Sequence, residues 1–269
     1  MININDIEGF FPVNIRIARF REYMLKEYIH YKMLDILSKS QFSEKLSFIG
    51  GSCLRILYGI KRFSEDLDFD NFGMSEQEFT EMTNFITSEL KADGYPVVII
   101  DKEKDKKLNA FRRNINFPEL LYKQGISGHK GKKFLIKIES QSHNFKYDPI
   151  PKVVAGFDVF AIIKTAPPDI LLSMKISAML ERNKGRDFFD FLNLVNKTEP
   201  NYEYLSFRKG INTPAQLKKA LLNRCDEIDF KFQSQDFQHL VFSDMDRQKL
   251  NDFKFIVRSL EFSHNKQHK

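Results

Sequence analysis

Three aspartates at alternate positions are the residues of this sequence whose spacing is best suited to chemistry. They occur in the run Asp66-Leu67-Asp68-Phe69-Asp70. Side chains alternate between the faces of a strand, so the carboxylates would share one face while Leu67 and Phe69 point to the core. Carboxylates placed together repel one another unless a cation lies among them. Mg²⁺ prefers one or two carboxylates plus substrate phosphates, so Asp66 and Asp68 are predicted to be metal ligands.

A glycine-rich turn before the aspartates is typical of phosphate binding. The apolar run 46–49 predicts a strand, Gly50-Gly51-Ser52 predicts a turn, and residues 53–58 predict a helix of which Ser52 is the N-cap. Exposed backbone N–H groups at a helix start favour phosphate, so Gly51 and Ser52 are candidate nucleotide-binding residues. A glycine pair alone often only reverses the chain, and an Asp-x-Asp alone can be a solvated strand face. Their order, with a helix between them, favours binding of a nucleoside triphosphate.

The residue pattern of this stretch resembles the motif of a known protein family. Residues 50–69 read Gly-Gly-Ser-x-Leu-Arg-x-Leu-Tyr-Gly-x-x-Arg-Phe-Ser-x-Asp-Leu-Asp-Phe. This is similar to the Gly-Ser … Asp-x-Asp motif of the DNA polymerase β-like nucleotidyltransferases, and in particular to the AbiEii toxins of type IV toxin–antitoxin (abortive infection) systems, which have the MenT tRNA-modifying toxins as relatives. The resemblance spans about residues 45–195. It implies an NTP substrate, a two-metal Mg²⁺ site, a tRNA 3′ end as acceptor and an antitoxin encoded nearby.

A later strand offers a third carboxylate. Residues 134–140 predict a strand with Lys137 and Glu139 on one face. If this strand lies beside the aspartate strand, Glu139 supplies the third metal-binding carboxylate seen in polymerase β-like sites, Lys137 neutralises charge or contacts phosphate, and Asp70 lies at the edge. An exposed Lys–Glu pair on a sheet face is the alternative. The Lys-x-Glu pattern recurs in the family's motif, which favours the functional interpretation.

A second charged cluster follows in a helical region. Lys175 and Arg182 are spaced to share a helical face, and Asp187 and Asp190 are neighbours on the next helical run, after Arg186. Such a cluster can grip a triphosphate and position an acceptor hydroxyl, and a salt-bridged helix pair is the alternative. The segment resembles the second AbiEii block, Lys-x-x-Ala … Arg-Asp-x-x-Asp. The resemblance implies that Lys175 contacts the nucleotide phosphates and that one of the two aspartates supports catalysis. Arg182 and Arg186, in the same charged cluster, are further candidates for binding the phosphates.

Composition agrees with a folded protein and excludes some classes. A hydrophobic content of 42% with 29% charged residues is typical of a globular protein rather than a disordered one. The net charge of +6 permits an RNA or DNA partner through counterion release without requiring one. Cys53 and Cys225 are too few for a disulfide framework or a cysteine-rich zinc site. There is no signal-peptide pattern and no apolar run of membrane-spanning length, so a cytoplasmic protein without membrane contact is expected.

The expected architecture is α+β with two domains. The resemblance implies a polymerase β-like mixed sheet flanked by helices, followed by a mainly helical C-terminal domain. A shift in composition after Ala166-Pro-Pro places these at residues 1–165 and 166–269. Further element predictions are a helix over 13–39, a capping box Ser75-x-x-Glu78 opening a helix to about Ala92, paired strands in 95–100 and 110–117, a turn at 149–151, a strand over 159–163 and a helix over 170–183.

The sequence therefore predicts a metal-dependent nucleotidyltransferase that transfers a nucleotide from an NTP to an acceptor hydroxyl. One alternative is a non-catalytic protein that binds nucleic acid or a partner on the same scaffold, because a fold does not guarantee a function. A second alternative is a transferase that modifies a protein or a small molecule. The presence of Asp66, Asp68 and a candidate third carboxylate favours an enzyme.

Overall fold

The computed structural model describes residues 2–100 and 110–263, and a seven-stranded mixed sheet organises its first part. Across the sheet the strand order is β3-β4-β5-β2-β1-β7-β6, with β2–β5 and β1–β7 parallel and the other neighbours antiparallel. The strands are β1 Leu46–Ile49, β2 Asp66–Asn71, β3 Val98–Ile100, β4 Ala110–Asn116, β5 Leu135–Gln141, β6 Ile150–Gly156 and β7 Val159–Thr165. The predicted α+β class, with a mixed sheet and flanking helices, is confirmed.

Two compact units make up the described chain. The first comprises residues 2–59, 63–100, 110–144 and 149–165, and the second comprises 60–62, 145–148 and 166–263. The α-helices of the first are α1 Ile4–Glu8, α2 Arg21–Ser38, α3 Gly50–Tyr58, α4 Glu76–Ala92 and α5 Leu120–Lys123. Those of the second are α6 Pro168–Glu181, α7 Gly185–Leu194, α8 Tyr202–Lys209, α9 Pro214–Glu227, α10 Phe230–Asp236, α11 Asp244–Gln248 and α12 Phe253–Ser259. Over the described residues, no helix is both long enough and apolar enough to cross a membrane.

One face of the sheet forms the core of the first unit. Helix α2 packs on β7 and on α4, and α4 packs on β4. Phe48, Leu67, Phe69 and Ile138 are buried in this core, each worth roughly 1.5–3 kcal/mol of transfer free energy. Because strand side chains alternate, burying Leu67 and Phe69 here turns the aspartates of β2 to the opposite face. That opposite face carries the candidate site.

Helix α2 begins later than the sequence predicted. Residues 13–20 form two short 3₁₀ turns, and the α-helix starts at Arg21. Val13 and Ile17 are exposed, whereas Ile15 and Phe20 are buried. The two buried residues are five positions apart, which is not the three- or four-residue spacing of one face of an α-helix. Arg16 instead donates to the carbonyl oxygens of Phe11 and Gly9, at 2.7 and 3.0 Å. These bonds to backbone carbonyls hold the segment in a non-helical path.

Of two further local predictions, the capping box at Ser75 and the turn at 149–151, one is confirmed and one is wrong. The capping box is confirmed, since Ser75 Oγ accepts from Glu78 N at 3.2 Å and Glu78 Oε2 accepts from Ser75 N at 2.9 Å. The predicted turn at 149–151 is wrong, because Pro151 lies inside β6. Strand β6 is an outer strand of the sheet, where proline is tolerated because alternate N–H groups point away from the neighbouring strand.

Candidate functional site

A glycine with positive φ brings the start of α3 against an aspartate of β2. Gly50 has φ +77°, which L side chains rarely adopt, and a Cβ built there would lie 2.3 Å from Asp68 Oδ2. Glycine is therefore required twice at this position, once for the backbone conformation and once for the space. The Asp68 carboxylate is consequently held beside the first turn of the helix.

Ser52 has a different role from the one predicted. The N-cap residue of α3 is Ile49, and Ser52 is the third residue of the helix, 1% exposed. Its Oγ donates to the carbonyl oxygen of Asp66. The N-cap prediction is wrong because the helix starts at Gly50, three residues earlier than predicted. Gly51 and Ser52 nevertheless lie in the first turn, whose N–H groups have no acceptor within the helix and favour an anion.

The candidate carboxylates meet on adjacent strands. Strand β5 runs parallel to β2, with Asp66 opposite Lys137 and Asp68 opposite Glu139. The condition placed on Glu139, that its strand lies beside the aspartate strand, is thus met. The Nζ of Lys137 lies 3.0 Å from Asp66 Oδ2 and 3.3 Å from Glu139 Oε2. These four residues point to the same face of the sheet, which we call the carboxylate face.

Arg112 on β4 completes this group and was not predicted. It lies directly opposite Glu139 in the antiparallel β4–β5 pair. Its Nε donates to Glu139 Oε2 at 2.6 Å and its Nη2 to Oε1 at 3.1 Å. The next residue, Arg113, points to the other face and donates to Thr83 and Asn84 of α4. Alternation along the strand separates the two arginines, but only the register shows which one meets Glu139.

Opposite charges keep Glu139 and Lys137 ionised. Burial acts to raise the pKa of Glu139, but the hydrogen bond from Arg112 and the charges of Lys137 and Arg112 outweigh it, so the pKa lies below its usual value. Burial acts to lower the pKa of Lys137, but the charges of Asp66 and Glu139 outweigh it and the pKa is raised. Glu139 is thus a carboxylate and Lys137 an ammonium at neutral pH.

The residues present fit a divalent metal bound together with substrate phosphates. Within residues 2–100 and 110–263, no three His, Cys, Asp or Glu side chains form a ready metal cluster. The position of Lys137 explains why the carboxylates are not clustered. Its ammonium contacts both Asp66 and Glu139, and so lies between carboxylates that a metal would draw together. The donors are hard oxygens on one face, and the missing Cβ of Gly50 leaves room for the Asp68 carboxylate. Such a donor set suits Mg²⁺, which binds through one or two carboxylates plus phosphates.

Asp70, the third aspartate of the alternating run, has other partners. Its side chain is 2% exposed. Its Oδ1 accepts from the backbone N–H of His143 at 3.0 Å and lies 3.2 Å from His143 Nδ1. Asp70 therefore holds the segment that follows β5.

The second charged cluster lies within the second unit and is largely buried. Asp187 and Asp190 on α7 are wholly buried, and the Nζ of Lys175 on α6 lies 3.3 Å from Asp187 Oδ1 and 2.7 Å from Asp190 Oδ2. Arg182 donates Nε and Nη2 to Asp187 at 2.8 and 3.1 Å. Arg62, 2% exposed, donates Nε and Nη2 to the two oxygens of Asp190, both at 2.7 Å.

These contacts distinguish the two aspartates. Burial acts to raise the pKa of Asp187, but the charge of Lys175 and the contacts of Arg182 bring it down to about 2. The nearby charge of Arg186 acts in the same direction. Both oxygens of Asp190 accept from the buried Arg62, whereas Asp187 is bound by Arg182, whose side chain is 51% exposed. Asp187 is therefore the aspartate whose cationic partner reaches solvent.

Arg62 is a residue whose role the sequence reasoning missed. It stands in the quoted motif, before the aspartate strand, and residues 60–62 pack with the second unit. An isolated β-bridge to Val241 and the pair with Asp190 hold it there. The position of an arginine inside a dense motif was the available signal, but its partner lies 128 residues away.

Comparison with family models identifies one family, and comparison with solved structures identifies proteins of similar fold. The family model described as "Nucleotidyl transferase AbiEii toxin, Type IV TA system" matches residues 32–264. Among solved structures, the nucleotidyltransferase toxin MenT4 of Mycobacterium tuberculosis has a TM-score of 0.59 at 14% identity, covering 97% of this chain and 91% of that one. A putative nucleotidyltransferase from H. pylori has a TM-score of 0.51 at 16% identity, covering 87% and 93%. No curated protein matches the sequence.

Proposed function

The chain belongs to the AbiEii family of nucleotidyltransferase toxins of type IV toxin–antitoxin systems, and from this premise we propose that it transfers a nucleotide from an NTP to an acceptor hydroxyl in a metal-dependent reaction. One observation carries the proposal. Asp68 is seated against Gly50 at the start of α3, with Glu139 directly opposite on the neighbouring strand. This places carboxylates beside helix N–H groups that favour phosphate.

The carboxylate face has the metal and phosphate roles in this proposal. Asp66, Asp68 and Glu139 would hold Mg²⁺, which when bound would neutralise the triphosphate and stabilise the attacking and leaving oxygens of an in-line displacement at the α-phosphate. The acceptor hydroxyl forms the new bond to the α-phosphorus, and pyrophosphate is the leaving group. The N–H groups of Gly51 and Ser52 bind phosphate oxygens. Lys137, which contacts Asp66 and Glu139 in the structure, would donate to a phosphate oxygen once those carboxylates hold the metal.

Charged residues of the second unit have supporting roles. We assign phosphate contacts to Lys175, following the family's second motif, and to Arg182 and Arg186 of the same charged cluster. Of the two aspartates we assign the catalytic role to Asp187, since both oxygens of Asp190 already accept from a buried guanidinium. With a pKa of about 2, Asp187 is ionised at neutral pH. It is therefore suited to orient a donor or to accept a proton only transiently.

The proposed acceptor is the 3′ hydroxyl of a tRNA. The family resemblance suggests this acceptor, and the net charge of +6 is compatible with an RNA partner. Membership of a type IV toxin–antitoxin family also suggests an antitoxin partner encoded nearby. An intracellular RNA acceptor would place the protein in the cytoplasm.

An end-labelling experiment tests the acceptor. The protein is incubated with Mg²⁺ and each α-³²P-NTP in turn, with total RNA, with the same RNA after periodate oxidation of its 3′ diol, or with protein alone. Label in a tRNA-sized band of intact RNA but not of oxidised RNA is expected. Label in protein would support a protein-modifying transferase instead. No label despite measurable NTP binding would support a non-catalytic binding protein.

A further inference from the structure

Glu139 lies between the guanidinium of Arg112 and the position beside Asp68 where the proposed metal would bind. The registers of β4–β5 and β2–β5 place Arg112 opposite it on one side and Asp68 opposite it on the other. Neighbouring strands are about 4.8 Å apart, so the carboxylate can reach toward either neighbour. It now faces Arg112, whose fork takes both of its oxygens at 2.6 and 3.1 Å.

A bidentate arginine is a strong partner, but this one is exchangeable. Charge-assisted forks are among the stronger hydrogen-bonded pairs. The side chain of Arg112 is 39% exposed, however, and that of Glu139 is 17% exposed, so solvent weakens the pair compared with a buried one. A divalent cation bound at Asp68 would need a Glu139 oxygen that Arg112 now holds. Binding of the metal and the contact with Arg112 are therefore in competition.

The released guanidinium would face an anion. Planar guanidinium forks match phosphate as well as carboxylate geometry. Lys137, on the same face, is placed in the same way, since its ammonium contacts Asp66 and Glu139. When a metal takes the carboxylates, Arg112 loses its contact with Glu139 and Lys137 loses its contacts with Asp66 and Glu139, at the position where the triphosphate arrives.

We propose that Arg112 is a counter-ion that exchanges partners: it holds Glu139 in the metal-free protein and binds a phosphate of the nucleotide once the metal has taken Glu139. This inference rests on the proposed function, because it assumes that metal and nucleotide bind at the carboxylate face. It assigns Arg112 a positive role in nucleotide binding and a negative role in metal binding. A residue that only supports the sheet would not affect the two ligands in opposite directions.

The test measures both ligands on one variant. Mn²⁺ binding without nucleotide is followed by electron paramagnetic resonance, and binding of a non-hydrolysable NTP analogue with Mg²⁺ by calorimetry, for wild type and Arg112→Gln. We expect Mn²⁺ to bind about two- to fivefold more tightly to the variant, because a half-exposed ion pair competes only modestly. We expect the analogue to bind roughly tenfold or more weakly, because a charge-assisted contact is lost.

Arg113→Gln is the matched control, being the next residue of β4 with its side chain on the other face. It should leave both affinities unchanged, and thermal unfolding checks that each variant is folded. Mn²⁺ affinity that is unchanged or weakened in Arg112→Gln would overturn the competition, and unchanged analogue affinity would overturn the phosphate contact. Wild type that binds neither ligand would overturn the proposed function itself. Wild type that binds both, with a variant that shifts neither, would overturn only this inference.

Discussion

Replacing Gly50 by alanine should disable the site by a calculable displacement. The new Cβ would lie 2.3 Å from Asp68 Oδ2, whereas ordinary van der Waals contact begins at 3.4 Å. The carboxylate must therefore move by about 1 Å, and a misplacement of about 1 Å at a reacting centre costs about 10²-fold in rate. The positive φ adds about 1–2 kcal/mol of backbone strain for any residue with a Cβ.

Gly59→Ala separates these two effects. Gly59 also has positive φ, +69°, but a Cβ there would meet nothing within 4 Å. In urea titrations Gly59→Ala should lose about 1–2 kcal/mol of unfolding free energy from the backbone strain, and Gly50→Ala should lose more because of the additional contact with Asp68. Transfer of α-³²P label should fall about 10²-fold for Gly50→Ala and stay near the wild-type rate for Gly59→Ala. Equal activities of the two folded variants would refute the argument that Asp68 depends on the space at Gly50.

Three further predictions concern stability. Arg62→Met leaves the buried Asp190 with only the ammonium of Lys175, which it shares with Asp187. The loss should be about 3 kcal/mol in chemical denaturation, the lower end for a broken buried pair. Arg21→Met, which breaks a more exposed pair with a carboxylate, should cost under about 1 kcal/mol. Burial, and to a lesser extent the charge of Lys26, lowers the pKa of His30 to about 3. The unfolding free energy should therefore fall by about 1.4 kcal/mol for each pH unit below pH 6.5. This slope should be absent in His30→Gln. Ser75→Ala removes an N-cap and should cost about 1 kcal/mol, measured by thermal unfolding.

Each of these predictions can fail on its own. An Arg62→Met loss no larger than that of Arg21→Met would mean that the buried pair contributes little. The unfolding free energy falls as the pH is lowered because His30 is neutral in the folded protein, while the unfolded chain takes up a proton near pH 6.5. The contribution of His30 is therefore fully present above pH 6.5 and declines toward pH 3. An equal slope in His30→Gln would assign the effect to another group. Unchanged unfolding of Ser75→Ala would mean that the capping box is not needed.

Features that depend on neighbouring residues were accessible from the sequence. The alternation of Asp66 to Asp70 predicted a strand with its carboxylates on one face, and β2 has that arrangement. The capping box at Ser75 was equally local. The first residue of α3 was harder to predict, because Ser52 is of a residue type that favours the N-cap position. The positive φ of Gly50, which lets the helix begin there, is visible only in the structure.

Features that depend on strand order were not accessible. The pairing of Arg112 with Glu139 requires the register of two strands joined by a long connection, and a shift by one residue would place Arg113 there instead. The partner of Arg62 lies on a helix of the second unit. Pro151 was interpreted as a turn residue because an outer strand, which tolerates proline, cannot be recognised before the sheet order is known.

The most direct test of the central claim is nucleotide transfer by carboxylate variants. Wild type, Asp66→Ala and Asp68→Ala are compared at equal concentration with α-³²P-NTP, Mg²⁺ and the accepting RNA, after circular dichroism and thermal unfolding show that all three are folded. The account predicts labelled RNA with wild type and only background label with either variant, since both carboxylates are assigned to the metal. Labelled RNA at the wild-type level from a folded Asp66→Ala/Asp68→Ala double variant would contradict it.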